Sequence, residues 1–334
     1  MYNCYNCNIT LNETNKSEEH IIPNSLGGQI KSYNLLCQKC NSYYGETIDR
    51  ELHEQTGLFS DLLNVKRDRP NQNIKVELKA KSGESHYYGP NLSPFSKLYF
   101  TPPGKTKPIV LFARNRDEML KLVEKKKKEL ESKNYINFSL KEFTEYPEGE
   151  VKYFSNKLSK EVGTVGFGNK DFFRALCKIA VNYCLYCGVD TSLVTNAITF
   201  IKGEHTINYI SRFYYPSHYK IHSLGSDEVS HLLYLVGDYK NQVLYCYIEL
   251  FNVHNVIVLL NNEYNGPEFE KTYCYDLINS REVLEKKVII RLHRLHFLDL
   301  LKLTSNDNAL YEHDMRLKRL NKIIEQRQAA YKKT

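Results

Sequence analysis

Four cysteines fall in two pairs of identical spacing, Cys4-x-x-Cys7 and Cys37-x-x-Cys40. Two residues between thiols let both sulfurs reach one tetrahedral cation at about 2.3 Å. Four thiolates fill that shell and leave no position for water, so the expected ion is a structural Zn²⁺ held by Cys4, Cys7, Cys37 and Cys40. Such an ion adds folding free energy to a segment too small to bury an adequate core. The pairs stand 29 residues apart, more than a simple zinc ribbon needs. The gap is long enough to display something.

Within it runs Glu19-His20-Ile21-Ile22-Pro23-Asn24-Ser25-Leu26-Gly27-Gly28, followed by Asn34 and, directly after the second Cys pair, Asn41. Taken singly, His20 reads as a surface histidine, Glu19 as a surface charge and Asn34 as a turn residue. Taken in order between two Cys pairs, they resemble the HNH endonucleases over roughly residues 4–54. That family often has Asp where this chain has Glu19, and often His where it has Asn41.

The resemblance implies a ββα-metal fold, two strands and a helix around one divalent ion, and hydrolysis of phosphodiester bonds in double-stranded DNA. It implies His20 as general base, which suits a side chain that titrates near neutral pH. Glu19 and Asn41 would be oxygen ligands to a catalytic Mg²⁺ or Mn²⁺, with Glu18 a rival ligand. Asn34 would brace the loop that aims His20, and Gly27-Gly28 would make the reversal between the strands. Because Asn41 follows Cys40, the zinc would also fix the start of the helix carrying the catalytic ligand. The rest of the chain resembles uncharacterised HNH-containing proteins, including the segment from Phe172 to Ala180, and that likeness carries no function.

The elements that must position these residues follow from periodicity. Short strands are expected at 74–78, 97–100 and 108–112, and a polar helix at 117–133. A helix is expected over 171–187: Phe172, Leu176, Ile179, Ala180 and Tyr183 recur at helical spacing, and Gly188 stands where a C-cap glycine would. Residues 230–276 read as strands, with 231–236, 242–251 and 256–260 forming an antiparallel meander. Near the end, Leu310, Leu317 and Ile324 fall seven apart, with Leu320 and Ile323 on the same stripe, as a packing face or a short coiled coil would require. The fold class expected is α+β: a zinc-stapled ββα-metal domain at 1–66, connecting strands and a polar helix at 67–150, and a mixed α/β recognition or regulatory domain at 151–334 with an antiparallel sheet and a basic C-terminal helix.

Composition narrows the class. The chain has 334 residues, 42% apolar and 25% charged, the profile of a globular protein. Its net charge of +7 is carried by residues 286–334, where 12 basic side chains face 5 acidic ones. That reads either as a solvated helix or as an arm for phosphate. No signal peptide precedes the first Cys pair and no run reaches the ~18 apolar residues of a membrane span, so a cytoplasmic protein with reduced thiols is expected. Nine cysteines, an odd number, agree with that. Cys184-x-x-Cys187 has no matching pair and reads as buried thiols. His293-x-x-His296 has no carboxylate partner in sequence. A dimer through the Leu310–Ile324 stripe or a regulatory partner would serve double-strand cleavage. The broader role expected is a restriction-type or phage-defence effector. The alternative is a zinc-stabilised module that binds DNA without cutting it.

Overall fold

The computed structural model describes residues 2–68, 168–204, 210–216, 220–290 and the helix at 307–331, with four strands and short helical pieces between 69 and 167. His293 and His296 lie outside the described residues. The chain forms two compact units, Met1–Pro70 with Lys157–Ile324, and Asn71–Asn156 with Glu325–Thr334. The second unit contains two antiparallel hairpins, β3 (Val76–Lys79) with β4 (Ser85–Tyr88) and β5 (Ser96–Phe100) with β6 (Ile109–Ala113). Of the expected helix at 117–133, the described residues are helical ones between 121 and 128.

The first unit opens with the Cys4–Cys7 turn. It closes on itself through Asn8 N–H to Cys4 O at 2.8 Å, with Asn8 in the left-handed region at φ 62°. Tyr5 N–H then reaches Leu35 O and Ser17 N–H reaches Leu36 O, which brings the second Cys pair alongside the first. Strands β1 (Glu19–His20) and β2 (Lys31–Ser32) pair antiparallel, with Glu19 opposite Ser32 and His20 opposite Lys31. The reversal between them needs glycine, because a Cβ on Gly28 would stand 1.8 Å from the carbonyl oxygen of Ile22. Helix α1 (Gln38–Glu46) starts at the second Cys pair, with Cys37 as its N-cap. Thr47, at φ −117° and ψ −98°, breaks it from α2 (Ile48–Leu62).

Further along lie α3 (Lys170–Tyr186), α4 (Thr195–Lys202) and six strands: β7 (Ser211–Phe213), β8 (Ser230–Asp238), β9 (Val243–Leu250), β10 (His254–Asn261), β11 (Phe269–Asp276) and β12 (Arg281–Glu282). Asn169 caps α3 by accepting from Phe172 N–H at 2.9 Å, and Gly188 follows its end at φ 88°, the left-handed residue that closes a helix. The strands form one antiparallel sheet in the order β12-β11-β8-β9-β10-β7. β8, β9 and β10 follow the expected meander. β11 crosses back to pair with β8.

Alternation along the strands gives the sheet two buried faces. One carries Leu232, Tyr234, Val236, Val243, Tyr245, Tyr247 and Ile257 in a single apolar cluster. The other faces α3 and the N-terminal elements. There Phe59 of α2 lies 5.7 Å from the ring of Phe251, and Phe172 of α3 lies 6.1 Å from His254. The last helix, α5 (Asp307–Tyr331), buries Leu320, Ile323 and Ile324. Cys184 is buried and Cys187 half-buried, both as free thiols. Among the described residues no helix is long and apolar enough to cross a membrane.

Candidate active site

The four paired cysteines converge. Their sulfurs all lie within 4.8 Å of one another, and Cys7 Sγ stands 3.7 Å from Cys37 Sγ. Sulfurs at about 2.3 Å around one tetrahedral ion stand about 3.8 Å apart, so the cluster has the dimensions of a four-thiolate site. No pair is oxidised to a disulfide. Burial raises the thiols of Cys4 and Cys40, which a bound cation would offset. The cluster could hold a metal ion such as zinc. Asn6 ties it to the next layer, donating to Cys40 Sγ at 3.1 Å and accepting from Tyr44 OH at 2.7 Å.

Beside this cluster lies a cleft of about 330 Å³, lined by Glu18 just before the first strand, Glu19 and His20 on it, Pro23, Asn24 and Ser25 from the turn, and Asn41, Gly45, Asp49, Arg50 and His53 from the helices. Asn41, Gly45, Asp49 and His53 recur every four residues, which puts them on one stripe of α1 and α2 despite the break at Thr47. Asn41 is held by its amide nitrogen, which donates to Ser17 Oγ at 2.8 Å and to the carbonyl of Glu18 at 3.1 Å.

His20 and Glu19 are neighbours on a strand and therefore face opposite ways. His20 is half-buried, with Nε2 3.0 Å from Asp68 Oδ2. Asp68 is itself placed by its backbone N–H, which donates to Asn24 Oδ1 at 3.1 Å. Burial lowers the His20 pKa while Asp68 works against it. Glu18 shares the His20 side. Lys31 donates to its Oε1 at 3.0 Å and Tyr33 OH to its Oε2 at 2.6 Å. Both partners lower the Glu18 pKa, Tyr33 first. Glu18, His20 and Asp68 form the second cluster of metal-competent atoms among the described residues, all within 4.8 Å. The ammonium of Lys31 also contacts Asp68, so a cation already sits between the two carboxylates.

Glu19 turns inward and is 3% exposed. Its Oε1 accepts from the Lys178 ammonium and from Asn182 Nδ2 at 2.8 Å, both on α3. Lys178 also reaches Asp49 Oδ2 at 2.8 Å and lies over the ring of Tyr44 at 5.8 Å. Burial opposes the Lys178 charge, but Asp49 and Glu19 outweigh it and hold the ammonium above its ordinary pKa. For Glu19, burial raises the pKa against the pull of Lys178.

Of the residues expected at the site, His20, Glu19 and Asn41 meet at the cleft. Asn34 does not line it: it lies exposed in the bend after β2, its backbone N–H donating to Ser32 Oγ at 3.2 Å.

Residues 4–56 match the family model of HNH endonucleases. The HNH segment therefore spans both Cys pairs, the β1–β2 hairpin, α1 and most of α2. No curated protein and no solved structure gives a significant match to the chain.

Three features of the HNH cleft lie outside what motif spacing revealed. Asp68 is twelve residues past the matched segment. Asp49 and His53 continue the stripe that Asn41 begins, a period that was present in the sequence. Lys178 carried the clearest unused signal, as a lone charge in the apolar run 175–181. A buried ammonium must find a carboxylate.

Proposed function

We propose that this protein is a metal-dependent endonuclease that hydrolyses phosphodiester bonds in double-stranded DNA, with His20 as general base. The observation that carries the reading is the His20–Asp68 contact at the mouth of a cleft also lined by Glu19 and Asn41. An imidazole that donates Nε2–H to a carboxylate keeps its lone pair on Nδ1. Asp68 thereby fixes the tautomer and ring orientation, and Nδ1 takes the proton from the attacking water. The water oxygen bonds to phosphorus as the P–O bond to the 3′ oxygen breaks. Burial keeps His20 neutral near physiological pH, the form a base requires.

Hard oxygens suit Mg²⁺ or Mn²⁺, and we assign the ion to Glu19 and Asn41 in preference to Glu18. Both Glu18 oxygens already carry hydrogen bonds, whereas the two bonds to Glu19 fall on Oε1 alone. When bound, the ion relieves charge on the phosphate and on the departing oxygen. The four-thiolate ion is structural zinc, and it fixes α1, hence Asn41. The remaining sheet-bearing part serves target recognition or regulation of a restriction-type or phage-defence effector.

A second reading has one observation behind it. Lys178 already neutralises Glu19, as it would in a DNA-binding module that takes no catalytic ion. Incubation of purified protein with supercoiled plasmid and Mg²⁺ or Mn²⁺ separates the two. Nicked or linear product supports the nuclease, and unaltered plasmid under conditions where the protein binds it supports the module.

A further inference from the structure

The carboxylate of Glu19 is gripped by a helix that begins more than one hundred residues past the matched HNH segment. Lys178 and Asn182 are one turn apart on α3, so both side chains leave the same face. Both bond the same oxygen, Oε1. Glu19 nevertheless lines the cleft. The grip is asymmetric: both bonds from α3 fall on one oxygen, and neither falls on the other.

The polar atoms around it are not those of a closed structural ion pair. Asp49 Oδ1 and Asn182 Oδ1 are both buried and lack a hydrogen-bond partner. Native interiors rarely leave such groups, and two of them, on the residues that bond Lys178 and Glu19, mark a place where an ion, water or ligand belongs. Asp49 and His53 line the same cleft as Glu19 and Asn41. A buried ion pair kept only for stability is replaceable by well-packed apolar side chains. Two carboxylates against one ammonium leave a net negative charge beside the cleft, which apolar packing would not supply.

We propose that Lys178 and Asn182 are positioning residues of the nuclease site, holding Oε1 of Glu19 so that its second oxygen faces the divalent ion. Metal-ligating carboxylates are commonly oriented in this way by partners that do not touch the ion. The strand that bears the ligand is only two residues long, so the hairpin by itself holds Glu19 weakly. The helix of the sheet-bearing part completes the site that the HNH segment begins. This rests on Glu19 being a metal ligand.

The test is Mn²⁺ binding to the full-length protein by titration calorimetry, with zinc content and melting temperature measured on each sample. Asn182→Ala removes one bond and keeps the Lys178 pair, so it decides the matter should Lys178→Met fail to fold. The expected result is about 10–100-fold weaker Mn²⁺ binding in folded Asn182→Ala, with zinc still bound. Glu19→Gln should weaken binding at least as much. If Glu19→Gln weakens binding while Asn182→Ala and folded Lys178→Met bind as wild type, the positioning role is refuted and the nuclease reading stands. If Glu19→Gln itself binds Mn²⁺ normally, the ligand assignment is wrong and the positioning role goes with it.

Discussion

The Nε2 nitrogen of His231, on β8 of the sheet, lies 2.8 Å from the carbonyl oxygen of Leu26, in the turn between the two HNH strands. A carbonyl only accepts, so Nε2 carries the proton. Nδ1 accepts from the backbone N–H of Phe251 at 3.3 Å. Both nitrogens are used and the ring is fully buried, which lowers its pKa to about 4. An unfolded histidine titrates near 6.5. Below that value the unfolded chain takes up a proton that the native chain refuses. This site should therefore remove about 1.4 kcal/mol of stability per pH unit as pH falls from about 6.5 to about 4. In His231→Gln the side chain no longer titrates, and its amide nitrogen can still donate to Leu26. Denaturant unfolding at pH 7 and pH 5 should show a shallower loss in the variant. An unchanged slope would mean that His231 is not the neutral tautomer inferred here.

The thiolate cluster makes a prediction about composition. Elemental analysis should find about one tightly held zinc per chain. Cys37→Ala removes one sulfur and the N-cap residue of α1 together, so zinc content and melting temperature should both fall. A chelated, zinc-free protein that melts like the untreated one would contradict the assignment.

Glu249 of β9 sits in the sheet's other buried face. It accepts from Asn252 Nδ2 at 2.7 Å and from Tyr247 OH, with His222 Nε2 at 3.1 Å. Burial alone would raise its pKa, but His222, Arg316 and Tyr247 overcome that and bring it down to about 2. The same pair raises His222 despite its burial. The Glu249 contribution is then present above its ordinary value near 4.5 and is lost as pH falls towards about 2. The His222 contribution is present below its ordinary value and is lost as pH rises through its raised one. Glu249→Gln leaves His222 without its counter-charge and should cost on the order of 3–5 kcal/mol. It should also return the His222 pKa to or below 6.5, read by NMR titration. A His222 pKa that stays raised in the variant would show that another group holds its proton.

The C-terminal helix uses part of its apolar stripe for packing within the chain. Leu320, Ile323 and Ile324 are buried within the chain. Arg319 donates to the carbonyls of Gly225 and Glu228 at 2.8 and 2.7 Å, so it ties the helix to that loop. Truncation after Ser305 should lower the melting temperature and leave the oligomeric state by light scattering unchanged. A halved mass would make the stripe a dimer seam after all.

Much of the HNH segment was legible because its constraints are local. Cys spacing sets ligand reach, Gly28 answers a steric demand, and Asn41 is placed by the Cys pair before it. Helix α3 and strands β8 to β10 were legible from periodicity and from Gly188. The partners of Glu19 were not, because Lys178 and Asn182 lie about 160 residues away and no spacing rule links them. The place of β11 in the sheet was not legible for a related reason: alternation predicts a strand but not which edge it joins. Glu18 and Glu19 stayed rivals in the sequence because their hydrogen-bond partners, Lys31 and Tyr33 for one and Lys178 and Asn182 for the other, are set by tertiary contacts.

The central claim is tested most directly at His20. Purified wild-type protein and His20→Ala should be compared on supercoiled plasmid with Mg²⁺ or Mn²⁺, with zinc content and DNA binding measured on both. His20→Ala should keep its zinc, still bind DNA and cut about 10²–10⁴-fold more slowly. Cleavage by His20→Ala at the wild-type rate would contradict it.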